Sequence, residues 1–185
     1  MRVKTVLQSV AVRLALVVIA LAGSACSSTG VPAGIQPVAG FELERYLGTW
    51  YEIARIDNRF EQGLEAVSAT YRVREDGSVG VLNRGWNTAD GEWVEAEGRA
   101  KFVGAEDVAH LAVSFFGPFF ASYVVFELDE FYQNAWVTGN DRKTLWYLSR
   151  EPVVDPAALA AFRSEADALG FDLGKIIDVD QTRNR

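Results

Sequence analysis

The sequence predicts an all-β fold, an eight-stranded antiparallel up-and-down β-barrel with one C-terminal helix packed outside. Three observations carry that expectation. From about residue 46 the chain holds eight short runs rich in Val, Phe, Tyr and Trp, divided by turns of Gly, Asp and Asn, the spacing of a sandwich or a barrel. No long helical pattern falls between them, so a parallel sheet built from alternating strands and helices is excluded. A single helical pattern follows the last run.

The runs follow one another at turn signals. Residues 48–56, GTWYEIARI, open the set. The run 67–74 ends at Glu75-Asp76-Gly77, and 79–86 ends at Asn87-Thr88-Ala89-Asp90-Gly91. The run 92–103 stops at Gly104, and 110–116, 122–128, 134–139 and 144–150 complete the eight. Asp155 then suits a helix N-cap and Pro156 the first helical position. Over 157–169, Leu159, Phe162, Ala166 and Leu169 make a stripe of 3.6-residue period that would press on the barrel. Gly170 stops the helix, and 171–179 reads as one more short strand.

Residues 1–25 differ from the rest. Arg2, Lys4 and Arg13 precede and enter an apolar run over 14–22 that holds no acid, the pattern of a secretory signal. The run is shorter than the ~20 residues that span a bilayer. Loss of this leader takes the formal charge from −7 to −10. That acidic balance, without a Lys/Arg cluster, excludes a nucleic-acid binder. One Cys and one His exclude a disulfide framework and a Cys/His zinc site. Cys26 ends the stretch Leu21-Ala22-Gly23-Ser24-Ala25-Cys26. Residues 27–40, rich in Ser, Thr, Gly, Pro and Val without period, have the composition of a tether, which leaves 41–185 as the folded domain.

In an up-and-down barrel the first strand begins at the end where the eighth finishes, so Trp50 and Arg150 share one end. A guanidinium there stacks on the indole and hydrogen-bonds the chain that covers it, closing the barrel. The loops after the first, third, fifth and seventh strands lie at the opposite, open end. One of them, Phe115-Phe116-Gly117-Pro118-Phe119-Phe120, sets four rings around a turn. Phe116, Phe119 and Phe120 either meet an oily substrate or lipid surface at this rim or fold back into the core. Arg59 and Arg142, with Lys143, share the rim and suit a phosphate or carboxylate head group, or are ordinary solvated charges.

Strand alternation gives the interior. It places Glu52, Ala54, Ala69, Tyr71, Val81, Asn83, Leu111, Val113, Phe115, Val124, Phe126, Val137, Trp146 and Leu148 inward. Such a wall is mostly apolar with a few polar atoms, as a ligand pocket should be, and eight strands enclose room for one small ligand. A fatty acid, a lysophospholipid or a similar single-chain amphiphile fits that description. The fourth run is ambiguous, since Glu95, Glu97 and Arg99 hold one parity and Ala96, Gly98 and Ala100 the other.

Gly48-Thr49-Trp50-Tyr51-Glu52 resembles the Gly-x-Trp signature of lipocalins. Thr138-Gly139-Asn140-Asp141 and Arg150 stand where that family's second and third signatures stand, and Cys26 stands where bacterial lipoproteins carry lipid. Over about residues 41–180 the chain is therefore similar to bacterial lipocalins, the outer-membrane group related to apolipoprotein D. Two departures are visible. The segment before the last strand lacks the family's Thr-Asp-Tyr form, and Gly23 stands where the lipoprotein box has Leu. The resemblance implies acylation of Cys26 and an outer-membrane location, with which Ser27 agrees. Cleavage by the ordinary signal peptidase, without lipid, is the alternative. Neither cofactor nor metal is implied, and a homodimer stays open.

Three function classes follow. The first is a carrier or store of fatty acids or lysophospholipids for envelope maintenance, without catalysis. The second is an enzyme acting on a lipid or pigment in the cup, which needs an inward acid–base pair such as Glu52 with Tyr71. The third is a structural lipoprotein with a filled barrel, against which Ala54, Ala69, Gly85 and Ala135 argue. Glu52, if buried, has a raised pKa. His110 takes the face opposite Leu111, outside the cup, badly placed for a haem ligand or a base.

Overall fold

The computed structural model describes residues 29–184. The leader and Cys26 lie outside the described residues. Eight strands, β1 Gly48–Ile56, β2 Leu64–Val73, β3 Val79–Asn87, β4 Glu92–Phe102, β5 His110–Ser114, β6 Ala121–Leu128, β7 Asn134–Thr138 and β8 Leu145–Ser149, pair antiparallel in chain order. β8 returns to β1 and β1 to β2, so the sheet closes. Closure gives each of the eight strands a partner on both sides. A one-turn helix, α1 (Leu43–Tyr46), crosses the closed end and α2 (Pro156–Ala168) packs outside. The short α1 is not foreseen by any sequence pattern.

The expected strand over 171–179 shrinks to β9, Ile176–Asp178, paired with the upper part of β1. Asp172 is the reason: its side chain accepts from Gly174 N, and residues 173–175 turn in a 3-10 helix. The tail after β9 fills a gap. β1 and β2 pair only over residues 48–51. Above that point the Gln181 side-chain amide donates to Glu52 O and Val67 O, both at 2.8 Å, and Ala66 N donates to Asp180 O at 2.7 Å. Gln181 is 2% exposed, so the buried seam between two splayed strands is satisfied by a side chain rather than by a ladder.

The closed end rests on Trp50 and Arg150. The guanidinium lies 4.0 Å from the indole centroid. It donates to Thr49 O, Arg45 O and Leu47 O at 2.8–2.9 Å and to Tyr132 O at 3.3 Å. Trp50 is fully buried and its Nε1 donates to Tyr46 O at 2.8 Å. One side chain thus ties three alternate residues, Arg45, Leu47 and Thr49, to the β6–β7 turn. Gly48 permits this: its φ is +93° and a Cβ there would stand 3.3 Å from Arg150 Nη1.

Two apolar clusters divide at the barrel wall. The inner one contains Phe41, Tyr46, Trp50, Tyr71, Val81, Leu111, Val125, Val137 and Leu148. The outer one joins α2 to the wall through Ala54, Val124, Tyr147, Phe162 and Ala166. Asp155 caps α2 by accepting from Ala157 N at 2.7 Å, and Phe162 packs on Tyr147 and Trp136. Burial of that ring contributes roughly 2–3 kcal/mol.

Residues 29–40, expected as a tether, lie against the body instead. Ile35 is buried in the outer cluster with Val31 beside it. Val38 hydrogen-bonds Val125 O and Ala109 N at 2.9 Å each. Apolar residues spaced through a Gly/Pro-rich segment supply anchors that composition alone conceals.

We expect Trp50→Ala and Arg150→Ala each to cost about 3 kcal/mol, through a core void and through unpaired carbonyls respectively. Thermal unfolding should then drop by roughly 6–12 °C for a chain of this size. A midpoint unchanged in both variants rules out the closure.

Candidate ligand-binding site

The strand register fixes which side chains enter the barrel. Glu52 faces Leu148 on β8, but the next residue, Ile53, is extra, and Ala54 faces Tyr147. This bulge inverts the alternation. Ala54 therefore points outward under α2, and Arg55, opposite Trp146, points inward. A similar error affects β6. Tyr123 pairs with Leu111 and Val125 with Val137, so these two point inward. Val124 and Phe126 belong to the outer cluster, Phe126 stacked on Phe171. Residues 123–126 are all apolar, so no alternation marked the face, and a second bulge follows Val125.

Ala69, Tyr71, Val81, Leu111, Val113, Phe115, Val137, Trp146 and Leu148 join the inner cluster, and Asn83, paired with Ala69, shares that side. On β4 the small residues face inward: Gly98 pairs with Val81 and Ala96 with Asn83. Glu95 turns outward to Arg84 at 3.6 Å. Phe115 fills the space over Gly98, where a Cβ would come within 2.8 Å of its ring. The charged parity thus belongs to solvent, as water solvates carboxylates far better than a barrel does.

The interior has two levels. Below, Tyr46, Trp50 and Tyr71 pack with centroids 4.7–5.4 Å apart. The Tyr123 hydroxyl lies 2.8 Å from both the Tyr46 and the Tyr71 hydroxyls. Burial pushes all three phenols up, so they stay neutral at physiological pH. This plug occupies the closed half. Above it the walls are open: Ala96 points inward yet is exposed, and Asn83, Val113, Tyr123 and Trp146 are half-buried. Small side chains, Ala69, Ala96 and Gly98, face inward at this level.

A polar cluster stands on one side of the opening. Arg55, 1% exposed, donates to Glu52 Oε1 at 2.8 Å, to Glu61 O at 2.7 Å and to Leu64 O at 3.2 Å. The loop 57–63 folds over the mouth, and Glu61 Oε2 accepts from Trp146 Nε1 at 3.1 Å and from Asn58. Burial and the Glu61 charge raise the Glu52 pKa well above the usual carboxylate range, against the opposing pull of Arg55. Asn83 Oδ1 is buried without a hydrogen-bond partner among the described residues. Sequence reasoning found Glu52 but missed Arg55, Glu61, Tyr46 and Tyr123. Only the β1 bulge brings Arg55 inside, and nothing in a loop sequence shows that Glu61 turns back.

The Glu52–Tyr71 acid–base pair is not formed: Glu52 is bound to Arg55 and Tyr71 to Tyr123. His110 sits on the outer wall, its Nε2 2.8 Å from Ser122 Oγ. At the rim, Phe116 and Phe119 are 75% and 79% exposed and do not fold back. Phe120 does not face the mouth; it lies on the outer wall, with Lys101 Nζ 4.8 Å from its ring. Arg59 stays at the rim beside Phe60. Arg142 is committed elsewhere, donating to Leu169 O at the end of α2 and to Ala33 O, so it is not a head-group ligand.

Comparison with known proteins agrees with this geometry. Residues 41–181 match the family described as a lipocalin-like domain. The outer membrane lipoprotein Blc of Vibrio cholerae is 52% identical over 153 residues, 82% of this chain and 90% of that protein. Mouse apolipoprotein D is 31% identical over 153 residues, 76% of this chain and 77% of that protein. Among solved structures, the cockroach allergen Per a 4 superposes with a TM-score of 0.65 at 19% identity, covering 84% of this chain and 98% of that one. The chain belongs to the lipocalin family.

Proposed function

We propose that this protein is an outer-membrane lipoprotein, acylated at Cys26, that holds a single-chain lipid in its cup for maintenance of the cell envelope. The relative in Vibrio cholerae, named an outer membrane lipoprotein, supports the location. The position of Cys26 at the end of a secretory leader supports the anchor. The observation that carries the ligand class is the two-part cup: an apolar wall of Ala69, Ala96 and Val113 over the buried Leu148, beside one buried charged cluster. An acyl chain suits the wall and a polar head suits the cluster.

The charges rank the heads. Glu52, Glu61 and Asp57 surround the cation Arg55, whose Nη1 and Nη2 donate to Glu52 and two carbonyls while its buried Nε makes no hydrogen bond and lies 3.7 Å from Asp57 Oδ1. A free carboxylate meets net negative charge there. An ammonium meets the Glu61 carboxylate, the Glu52 side chain and Trp146, a cation–π partner. Asn83 Oδ1 offers a further acceptor to a glycerol hydroxyl. A lysophospholipid with an ethanolamine or choline head is therefore favoured over a fatty acid.

The test is a titration of the chain from Ser27 onward with lysophosphatidylethanolamine and with palmitate, read by tryptophan fluorescence. Saturable binding at micromolar or tighter is expected, with the lysophospholipid ahead. Val113→Arg or Leu148→Arg should weaken it at least about tenfold by placing an unpaired charge in the wall. No saturable signal with either lipid defeats the reading.

The raised Glu52 pKa gives a pH signature. Its proton is held more tightly in the folded protein than in the unfolded chain. The resulting stability is complete below the ordinary value of 4.5 and is lost as pH rises through the raised one. Melting curves should therefore show the parent losing stability relative to Glu52→Gln across that window. Ionisation of Glu52 also strengthens ammonium binding and weakens carboxylate binding. Lysophospholipid affinity should rise as pH passes through that raised value, while palmitate affinity falls. Parallel profiles for the two lipids contradict the assignment of the head-group site.

A further inference from the structure

Asn83 belongs neither to the charged cluster nor to the tyrosine plug. It points into the cup from the middle of β3, and its neighbours on that inner face are apolar. Ala69 stands opposite it on β2 and Ala96 opposite it on β4. Val81 and Gly85 stand two residues before and after it on the same face. Tyr71, diagonal to it on β2, has its hydroxyl 2.8 Å from that of Tyr123. Asn83 Oδ1 is accordingly buried without a hydrogen-bond partner among the described residues. A buried amide oxygen left unpaired destabilises a fold, so an amide in this frame calls for a partner from outside the wall.

The chemistry of that partner follows from the amide. Asn83 is half-buried, and the exposed Ala96 shows that the cup is open beside it. A half turn about its Cβ–Cγ bond exchanges oxygen and nitrogen, so the atom that meets the cup is an acceptor in one rotamer and a donor in the other. A hydroxyl pairs with both. A carboxylate only accepts, an ammonium only donates and a methylene does neither. Through the pairs Trp50–Ala69 and Ala69–Asn83 the amide is in register with Trp50, two residues below Glu52 on β1. Counted along the strands, that step is about 7 Å towards the closed end. The hydroxyl therefore belongs between the head and the tail of an amphiphile seated at the Glu52–Arg55–Glu61 cluster.

We propose that Asn83 selects lipids with a free hydroxyl next to the head group, and so separates a one-chain glycerolipid from its two-chain counterpart. This rests on the lipid-binding function proposed above and deepens it. A lysophospholipid keeps one glycerol hydroxyl. A diacyl phospholipid has that oxygen esterified and leaves the amide unpaired. A hydroxyl on the acyl chain near its carbonyl supplies the same chemistry from a second source. A site built to hydrogen-bond a ligand hydroxyl rejects the analogue without it far more strongly than an apolar pocket rejects one methylene. The selection acts through one hydrogen bond, independently of the room left for a second chain.

The test uses the chain from Ser27 onward, which contains every described residue, and reads tryptophan fluorescence. Two matched pairs of lipids are titrated. The first is 1-myristoyl-lysophosphatidylethanolamine against its 2-deoxy analogue, built on propanediol. The second is 3-hydroxymyristate against myristate. Within at least one pair the hydroxylated lipid should bind about tenfold or more tighter. The pair that shows the preference names the source of the hydroxyl, glycerol or acyl chain. Asn83→Leu should abolish the preference, weakening the hydroxylated lipid and tightening its analogue. Asn83→Ala, which is smaller than Asn and cannot crowd the wall, should abolish it as well. Equal affinities within both pairs overturn the proposal while the lipid-binding function stands. A preference that persists in Asn83→Ala overturns it too. If none of the four lipids binds the unsubstituted chain, the function and the proposal fall together.

Discussion

The rest of the molecule depends on one stacked cation. Arg150 leaves β8 at the closed end, covers Trp50 and reaches backbone carbonyls of four residues. A barrel needs one end sealed if its interior is to hold an apolar molecule, and that seal must satisfy the backbone crossing it. The guanidinium does both, because it is planar on the ring side and rich in donors at its edge. Gly48 leaves room for it and α1 is held beneath it. The tyrosine plug then builds upward on Trp50, and the open half of the cup is what remains above.

That open half is shaped by defects in the alternation. The bulge at Ile53 carries Arg55 inside and Ala54 outside, which gives the cup its charged cluster and α2 a small residue to pack on. The splay of β1 from β2 leaves backbone groups that the C-terminal tail satisfies through Gln181. Glu52 joins the two features, since its carboxylate binds Arg55 while its carbonyl accepts from Gln181. Protonation of Glu52 thus bears on both the charged cluster and the strand that frames it.

Much of this was legible in the sequence, for identifiable reasons. Turn residues and β-rich runs located every barrel strand, and the Asp155-Pro156 start with the Phe162/Ala166 stripe located α2. Chain direction alone brought Trp50 to Arg150. Parity was readable wherever polar and apolar residues alternate, as at Leu111 and Val113. It failed at Ala54, where a bulge adds a residue, and at Val124 and Phe126, where a wholly apolar stretch carries no face. Arg142 was misread because its partners, Leu169 O and Ala33 O, lie far away in sequence. The packing of residues 29–40 escaped for the same reason, since composition reports stiffness but not a distant apolar partner.

On the function proposed above, the cup and its charged side hold an amphiphile. The chain's place would be between Ala96 and Leu148 and its head at Glu61 and Trp146. The most direct measurement is a crystal structure of the chain from Ser27 onward with lysophosphatidylethanolamine. The account predicts an acyl chain within the upper barrel, stopped by Tyr71 and Tyr123, and an ammonium within hydrogen-bond reach of Glu52 or Glu61. A lipid seated on the outer wall, or one whose head points away from these carboxylates, contradicts it.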